Sequence, residues 1–299
     1  MASDEFHALA ERMAAAPPPP PDETVEQQRA RIDATMSQLP LADGVEAVET
    51  TVGGVAAIEC RPGDLAPDAP VVLYVHGGGF RIASALAYRA YTSHLAAVID
   101  ARVVSIDYRL APEHAFPAAL DDTVAAYVSL LDEGVPAGRI VVAGDSAGGG
   151  LAASLVPAAR QRGLALPAGT VCCSPWVDLT VTAASYVQNA DVDRLFSAES
   201  ASLAAGLYLA GHDPTDPLAS PVFADWAGAP PMLIQVGDVE VLLDDALRLA
   251  ATASDAGVDV TLTVAPEMPH IWPMSYPAFP EAVEAVEEIA AFVHRVTSP

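Results

Sequence analysis

With 299 residues, 52% of them apolar, the chain can form one large α/β domain or two small ones, and it is too apolar for global disorder. Its 39 acidic against 14 basic residues give a net charge of −25. That balance excludes the basic footprint of a nucleic-acid binder and disfavours anionic membranes and anionic substrates.

The N-terminal stretch "MASDEFHALAERMAAAPPPPP" has no basic start and no long apolar run, so it does not read as a secretory signal. No segment approaches the roughly 20 apolar residues of a membrane helix, so membrane insertion is not expected. Cys60, Cys172 and Cys173 form no even framework and no metal-ligand spacing. They read as buried, inert thiols in a reducing compartment, and the expected location is the cytoplasm.

Residues 1–45 read as a peripheral tail or lid. "DEFHALAERMAAA" suits a short helix, and Pro17 to Pro21 must be extended. "DETVEQQRARIDATMSQLP" reads as an amphipathic helix with Val25, Ile32 and Met36 near one face. "VEAVETTVGGVAAIECRPG" has the form of a hairpin turning at Gly53-Gly54. From Pro70 onward the pattern is different. "VVLYV", "RVVSIDY", "RIVVAG", "GTVCCS", "PMLIQVG" and "VDVTLTV" are short runs rich in β-branched residues, as in parallel strands buried on both faces. Helical stretches separate them: "FPAALDDTVAAYVSLLDEG", "GGGLAASLVPAARQRG" and "LLDDALRLAATASDAG". This alternation predicts an α/β fold, a mostly parallel sheet flanked by helices, closed by a last helix in "EAVEAVEEIAAFVHRV". Residues 176 to about 228 carry no convincing strand and read as a helical insertion with a proline-rich return loop.

"GDSAG" at Gly144 to Gly148 matches G-x-S-x-G between a predicted strand and a predicted helix, the context in which a serine oxygen is forced into the open. Alone, the motif also fits a glycine-rich turn or a phosphate site. A nucleophilic Ser146 needs a base. His270 follows the last predicted strand. Among the other histidines, His7, His94, His114 and His212 fall on predicted helices or in the insertion, His294 in the terminal helix and His76 in a separate motif. The base needs an acid to hold its tautomer. "GDVEVLLDD" offers Asp238 and Glu240 on the loop and Asp244 and Asp245 on the following helix; spacing does not choose between Asp238 and Glu240. "YVHGGGF" supplies backbone N–H groups free of Cβ atoms, and two of Gly77, Gly78 and Gly79, with Ala147, are the candidate oxyanion donors. It lacks the lysine and glycine spacing of a phosphate loop.

"HGGGF", "DYRLAPEHAFPAALDD", "GDSAGGG" and "DPLASP", in that order, resemble the bacterial hormone-sensitive-lipase family of α/β-hydrolases, the family IV carboxylesterases. The likeness runs from about Val71 to His270. It implies an α/β-hydrolase domain over residues 46–299, cap helices in residues 1–45 and a second cap segment at about 180–215. It also implies hydrolysis of short- to medium-chain esters by Ser146 and His270, with no cofactor and no metal. Most relatives carry D-P-L-x-D where this chain has "EVLLD"; aligning Leu242 and Asp244 to that pattern puts Glu240 at the acid. Asp107, Arg109 and Glu113 are expected to form a buried polar network near the glycine loop. His76 is expected to fix that loop, and Asp145 to be structural. Phe80, Trp176, Tyr186 and Trp272 are candidates for the substrate pocket. The expected partner is a small-molecule ester, and relatives often pair near the C-terminus, so a homodimer is an expectation carried by resemblance alone. A lactonase or amidase would use the same residues. A receptor on a disabled scaffold, as in related plant hormone receptors, would have lost one of them.

Overall fold

A computed structural model describes residues 2–15 and 22–298. Pro17–Pro21, expected to be extended, lie outside the described residues. Eight strands lie among the described residues: β1 (Val45–Val52), β2 (Val55–Pro62), β3 (Val71–Val75), β4 (Arg102–Ile106), β5 (Ile140–Asp145), β6 (Gly169–Cys173), β7 (Met232–Gly237) and β8 (Val260–Ala265). They form one sheet in the order β1-β2-β4-β3-β5-β6-β7-β8. The β1–β2 and β2–β4 pairs are antiparallel, and every later pair is parallel.

The helices are α1 (Asp4–Ala15), α2 (Val25–Met36), α3 (Ala85–Ile99), α4 (Ala118–Asp132), α5 (Ser146–Gln161), α6 (Ser185–Gln188), α7 (Ala198–Leu209), α8 (Leu243–Asp255) and α9 (Pro280–Thr297). No helix among the described residues is long and apolar enough to cross a membrane.

β3, β5, β6 and β7 are buried along their whole length, as their unbroken apolar runs require when helices cover both faces. β8 corrects the expectation of burial on both faces. It is an edge strand, and Leu262 and Val264 are 37% and 40% exposed. One apolar core lies under α4 and α5 with the insertion, and a second lies under α3 and α9. The insertion contains α6 and α7 and no strand.

α1 rests on the start of α9, with Phe6 and Phe279 edge to face at 5.3 Å. α2 lies against α3 and begins in a capping box between Thr24 and Gln27. Arg29 of α2 donates to the Arg81 carbonyl (2.6 Å) and the Ala111 carbonyl (2.8 Å), which fastens the helix beside the glycine loop.

The topology sets up the site. β3 and β5 are neighbours with Val75 opposite Gly144, so the loop after β3 emerges beside Ser146. β5, β6, β7 and β8 are consecutive in the sheet, so the residues leaving their C-terminal ends stand side by side along one rim.

Candidate active site

Ser146 is the first residue of α5 and adopts φ +52°, the left-handed region. A non-glycine residue pays strain there, so the surrounding packing must impose it. The packing is very close: a Cβ at Gly148 would stand 2.0 Å from the Val75 carbonyl oxygen. Only glycine lets α5 approach β3 this closely. The turn holds Ser146 Oγ within 2.9 Å of His270 Nε2.

His270 Nδ1 donates to Glu240 Oε2 at 2.7 Å, which fixes the tautomer with Nε2 as acceptor. Glu240 is fully buried. Its other oxygen, Oε1, accepts from Ser174 Oγ (2.7 Å) and from the Gly237 N–H (2.6 Å). Ser174 Oγ in turn accepts from the Ile271 N–H at 2.9 Å, tying the ends of β6, β7 and β8 together. Asp238, the alternative acid, is exposed and accepts from the Glu267 N–H at 2.7 Å. Asp244 and Asp245 lie in the first turn of α8. The structure therefore brings together Ser146, His270 and Glu240, and not Asp238.

Burial is the largest influence on His270 and pulls its pKa down. The Glu240 hydrogen bond and the charges of Glu240, Asp193 and Asp145 together outweigh it, so the pKa is raised. Asp145 is pushed up to about 6 by burial, against the hydrogen bonds it accepts from Tyr88, Tyr74 and the Gly77 N–H. Those bonds are 2.7, 2.8 and 3.1 Å long.

This arrangement narrows the donors in the glycine loop. The Gly77 N–H is committed to Asp145 and to the Tyr88 hydroxyl (3.1 Å), so Gly77 is corrected from donor candidate to loop anchor. A Cβ on it would meet Asp145 Oδ2 at 2.3 Å. Gly78 and Gly79 are partly exposed, and the hydrogen bonds among the described residues leave their N–H groups unused. Ala147 is in the first turn of α5, where backbone N–H groups lack intrahelical partners. His76 Nδ1 donates to the Gly77 carbonyl at 2.7 Å and its own carbonyl accepts from Tyr108, with burial pulling its pKa down to about 4.

Phe80, Trp176 and Tyr186 join one buried cluster with Tyr208. The Phe80 ring stacks on Tyr208 at 3.8 Å, and the Trp176 backbone N–H donates to the Ser146 carbonyl at 2.9 Å. Phe196 packs edge to face on Trp176 and lies nearly parallel to the His270 ring at 5.8 Å. Trp272 is a correction. Its ring sits in a separate core with Met268 and Phe279, and it lines a cleft of about 560 Å³ along β8 and α9 that contains none of Ser146, Glu240 or His270.

The expected Asp107–Arg109–Glu113 network is also corrected. Asp107 accepts from the Ala85 N–H, Arg109 pairs with Asp122, and Glu113 pairs with Arg29. The Arg109 and Glu113 side chains are 47% and 42% exposed and Asp107 is half-buried, so the three make separate contacts and not one buried network. His114 lies in a turn rather than in a helix. Sequence reasoning missed Ser174, Asp193, Phe196 and Tyr208. Only Ser174 had a signal, its place at the end of a predicted strand next to the nucleophile's.

A family profile described as the α/β-hydrolase fold matches residues 72–274. An acetyl-hydrolase of Streptomyces hygroscopicus is 44% identical over 247 residues, covering 83% of this chain and 82% of its own. The crystal structure of an esterase from the bacterial hormone-sensitive lipase family superposes with a TM-score of 0.92 at 40% identity, covering 100% of both chains. That of EstE5, soaked with p-nitrophenyl butyrate, gives 0.93 at 36% identity, again over 100% of both. With the sheet order, the strand-end placement of its motifs and these likenesses, the chain belongs to the α/β-hydrolases, within the bacterial hormone-sensitive-lipase family.

Proposed function

We propose that this protein is a serine carboxylesterase acting on short- to medium-chain acyl esters, with Ser146, His270 and Glu240 as its triad. The observation that carries the reading is the unbroken line of contacts from Ser146 Oγ to His270 Nε2 (2.9 Å) and from His270 Nδ1 to Glu240 (2.7 Å). Ser146 Oγ attacks the ester carbonyl as His270 Nε2 takes its proton. The carbonyl oxygen becomes an oxyanion held by the N–H groups of Gly78, Gly79 and Ala147. The intermediate collapses, the alcohol leaves with the proton from His270, and an acyl group remains on Ser146. Water then attacks the acyl carbon with His270 again as base, releasing the acid and returning the proton to Ser146.

Glu240 orients the ring and stabilises its protonated form, which is why the His270 pKa is raised despite burial. Phe80, Trp176 and Tyr186 pack in the buried aromatic cluster that includes Ala147, the residue after Ser146, which is what supports a place for them beside the acyl group. The cap role of residues 1–45 and of α6 and α7 is supported by Arg29 beside the glycine loop and by Phe196 against His270. A cytoplasmic location is supported by three buried free thiols.

The test is hydrolysis of p-nitrophenyl esters across pH. Neutral His270 is the active form, so kcat/KM should fall as pH drops through a limb lying above the ordinary histidine value of about 6.5. Butyrate should be turned over faster than palmitate. Absence of turnover, or an acidic limb in the ordinary carboxylate range, would count against the reading.

A further inference from the structure

The turn between α6 and α7 is stitched to the loop that carries Glu240. Asp193 in that turn is 9% exposed. Its Oδ2 accepts from the Val241 N–H at 2.9 Å, and its Oδ1 accepts from the Leu195 and Phe196 N–H groups, both at 3.0 Å. Asn189 Nδ2 donates to the Glu240 carbonyl (2.6 Å) and the Asp238 carbonyl (3.1 Å). Ser185 Oγ donates to the Val241 carbonyl at 2.6 Å. One carboxylate thus grips the residue after Glu240 with one oxygen and the backbone of Phe196 with the other, and Phe196 faces the His270 ring at 5.8 Å.

We propose that Asp193 is a positioning residue for ester hydrolysis: it registers the cap turn on the acid loop and so fixes Glu240 and Phe196 around the His270 imidazole. This rests on the triad reading above. The physical reason is tolerance. A misplacement of about 1 Å in a reacting group can cost about a hundredfold in rate. The Glu240 backbone depends on the cap for a hydrogen bond at its carbonyl and for one at the following N–H.

Electrostatics provide a readout that a purely structural prop would not have. The His270 ring feels Glu240 from the acid loop, Asp193 from the cap and Asp145 from the end of β5, and each favours its protonated form. Asp193→Asn keeps the shape but removes one of these charges. An amide can accept the Leu195 and Phe196 N–H groups through its oxygen, but its nitrogen cannot accept from Val241.

The experiment measures kcat and KM for p-nitrophenyl butyrate across pH in wild type, D193N, N189A and S146A, with thermal melting of each. In D193N we expect kcat to fall about ten- to a hundredfold with KM within about threefold, and the acidic limb of kcat/KM to move to lower pH. In N189A, which changes no charge, we expect a fall in kcat with the limb unmoved. A folded D193N with wild-type kcat and an unmoved limb would overturn the inference. Should D193N fail to fold, N189A decides: wild-type kcat there overturns it, and a lowered kcat with KM retained supports it. S146A separates the two levels. An active S146A defeats the triad reading itself, whereas an inactive S146A beside a wild-type-like D193N defeats only the role of Asp193.

Discussion

Replacing Ser146 with alanine is expected to lower kcat for p-nitrophenyl butyrate by a factor on the order of 10⁴–10⁶ while leaving the fold intact. The size follows from how the triad works. Without Oγ there is no acyl-enzyme, and His270 has no proton to take. What remains is the contribution of the donors and of substrate binding, which alone exceed water by about 10³–10⁴ in comparable enzymes. The fold should survive because alanine meets the same left-handed φ of +52° that serine already tolerates. The change removes one hydrogen bond, that from Ser146 Oγ to His270. Kinetics and thermal melting of the same preparation check both halves, and an S146A protein within about tenfold of wild type would contradict the assignment.

Glu240→Gln is expected to cost about 10³–10⁴ in kcat, whereas Asp238→Asn should stay within about threefold of wild type. The argument turns on the second oxygen of Glu240. Oε1 accepts from both the Ser174 hydroxyl and the Gly237 N–H. A glutamine will place its carbonyl oxygen there and its NH₂ toward His270. That NH₂ donates to Nδ1, so the ring must carry its proton on Nε2, and Nε2 can no longer accept from Ser146. The wrong tautomer is locked in by the Gly237 N–H, a backbone donor that cannot reverse. Asp238 is exposed, and its carboxylate caps the Glu267 N–H, with no role at the imidazole. Comparable losses in both variants, or a larger loss in D238N, would reverse the assignment of the acid.

Local chemistry in the sequence revealed the scaffold. Runs such as "VVLYV" and "MLIQV" have no polar face to show, and β3 and β7 are buried throughout. β8 carried the same kind of run but ends the sheet, and nothing in six residues reveals which strand is last. α3 gave no amphipathic stripe because alanines and buried tyrosines occupy most of its surface, from Ala85 and Tyr88 to Tyr91 and Ile99. Ser146 and His270 were legible as a pair because their positions are tied to strand ends. The carboxylate that meets His270 was legible only in part. Asp238 and Glu240 differ by burial and by the donors around them, and spacing does not record either.

The glycine loop illustrates the same limit. Three adjacent glycines look equivalent, yet Gly77 spends its N–H on Asp145, a partner 68 residues away. Conversely, Asp107, Arg109 and Glu113 are close in sequence and part in space, because each faces a different neighbouring segment. The insertion between β6 and β7 was the least legible region. Asp193, Phe196 and Tyr208 acquire meaning only through residues distant in the chain: Val241, His270 and Phe80.

The most direct measurement is the site of covalent labelling by a fluorophosphonate, read by mass spectrometry of the digested protein. The account predicts one phosphonyl group on the peptide containing Ser146, with loss of esterase activity in proportion to labelling and no label on S146A. Catalytically active protein that takes up no label, or a label that sits on another residue while activity disappears, would contradict it.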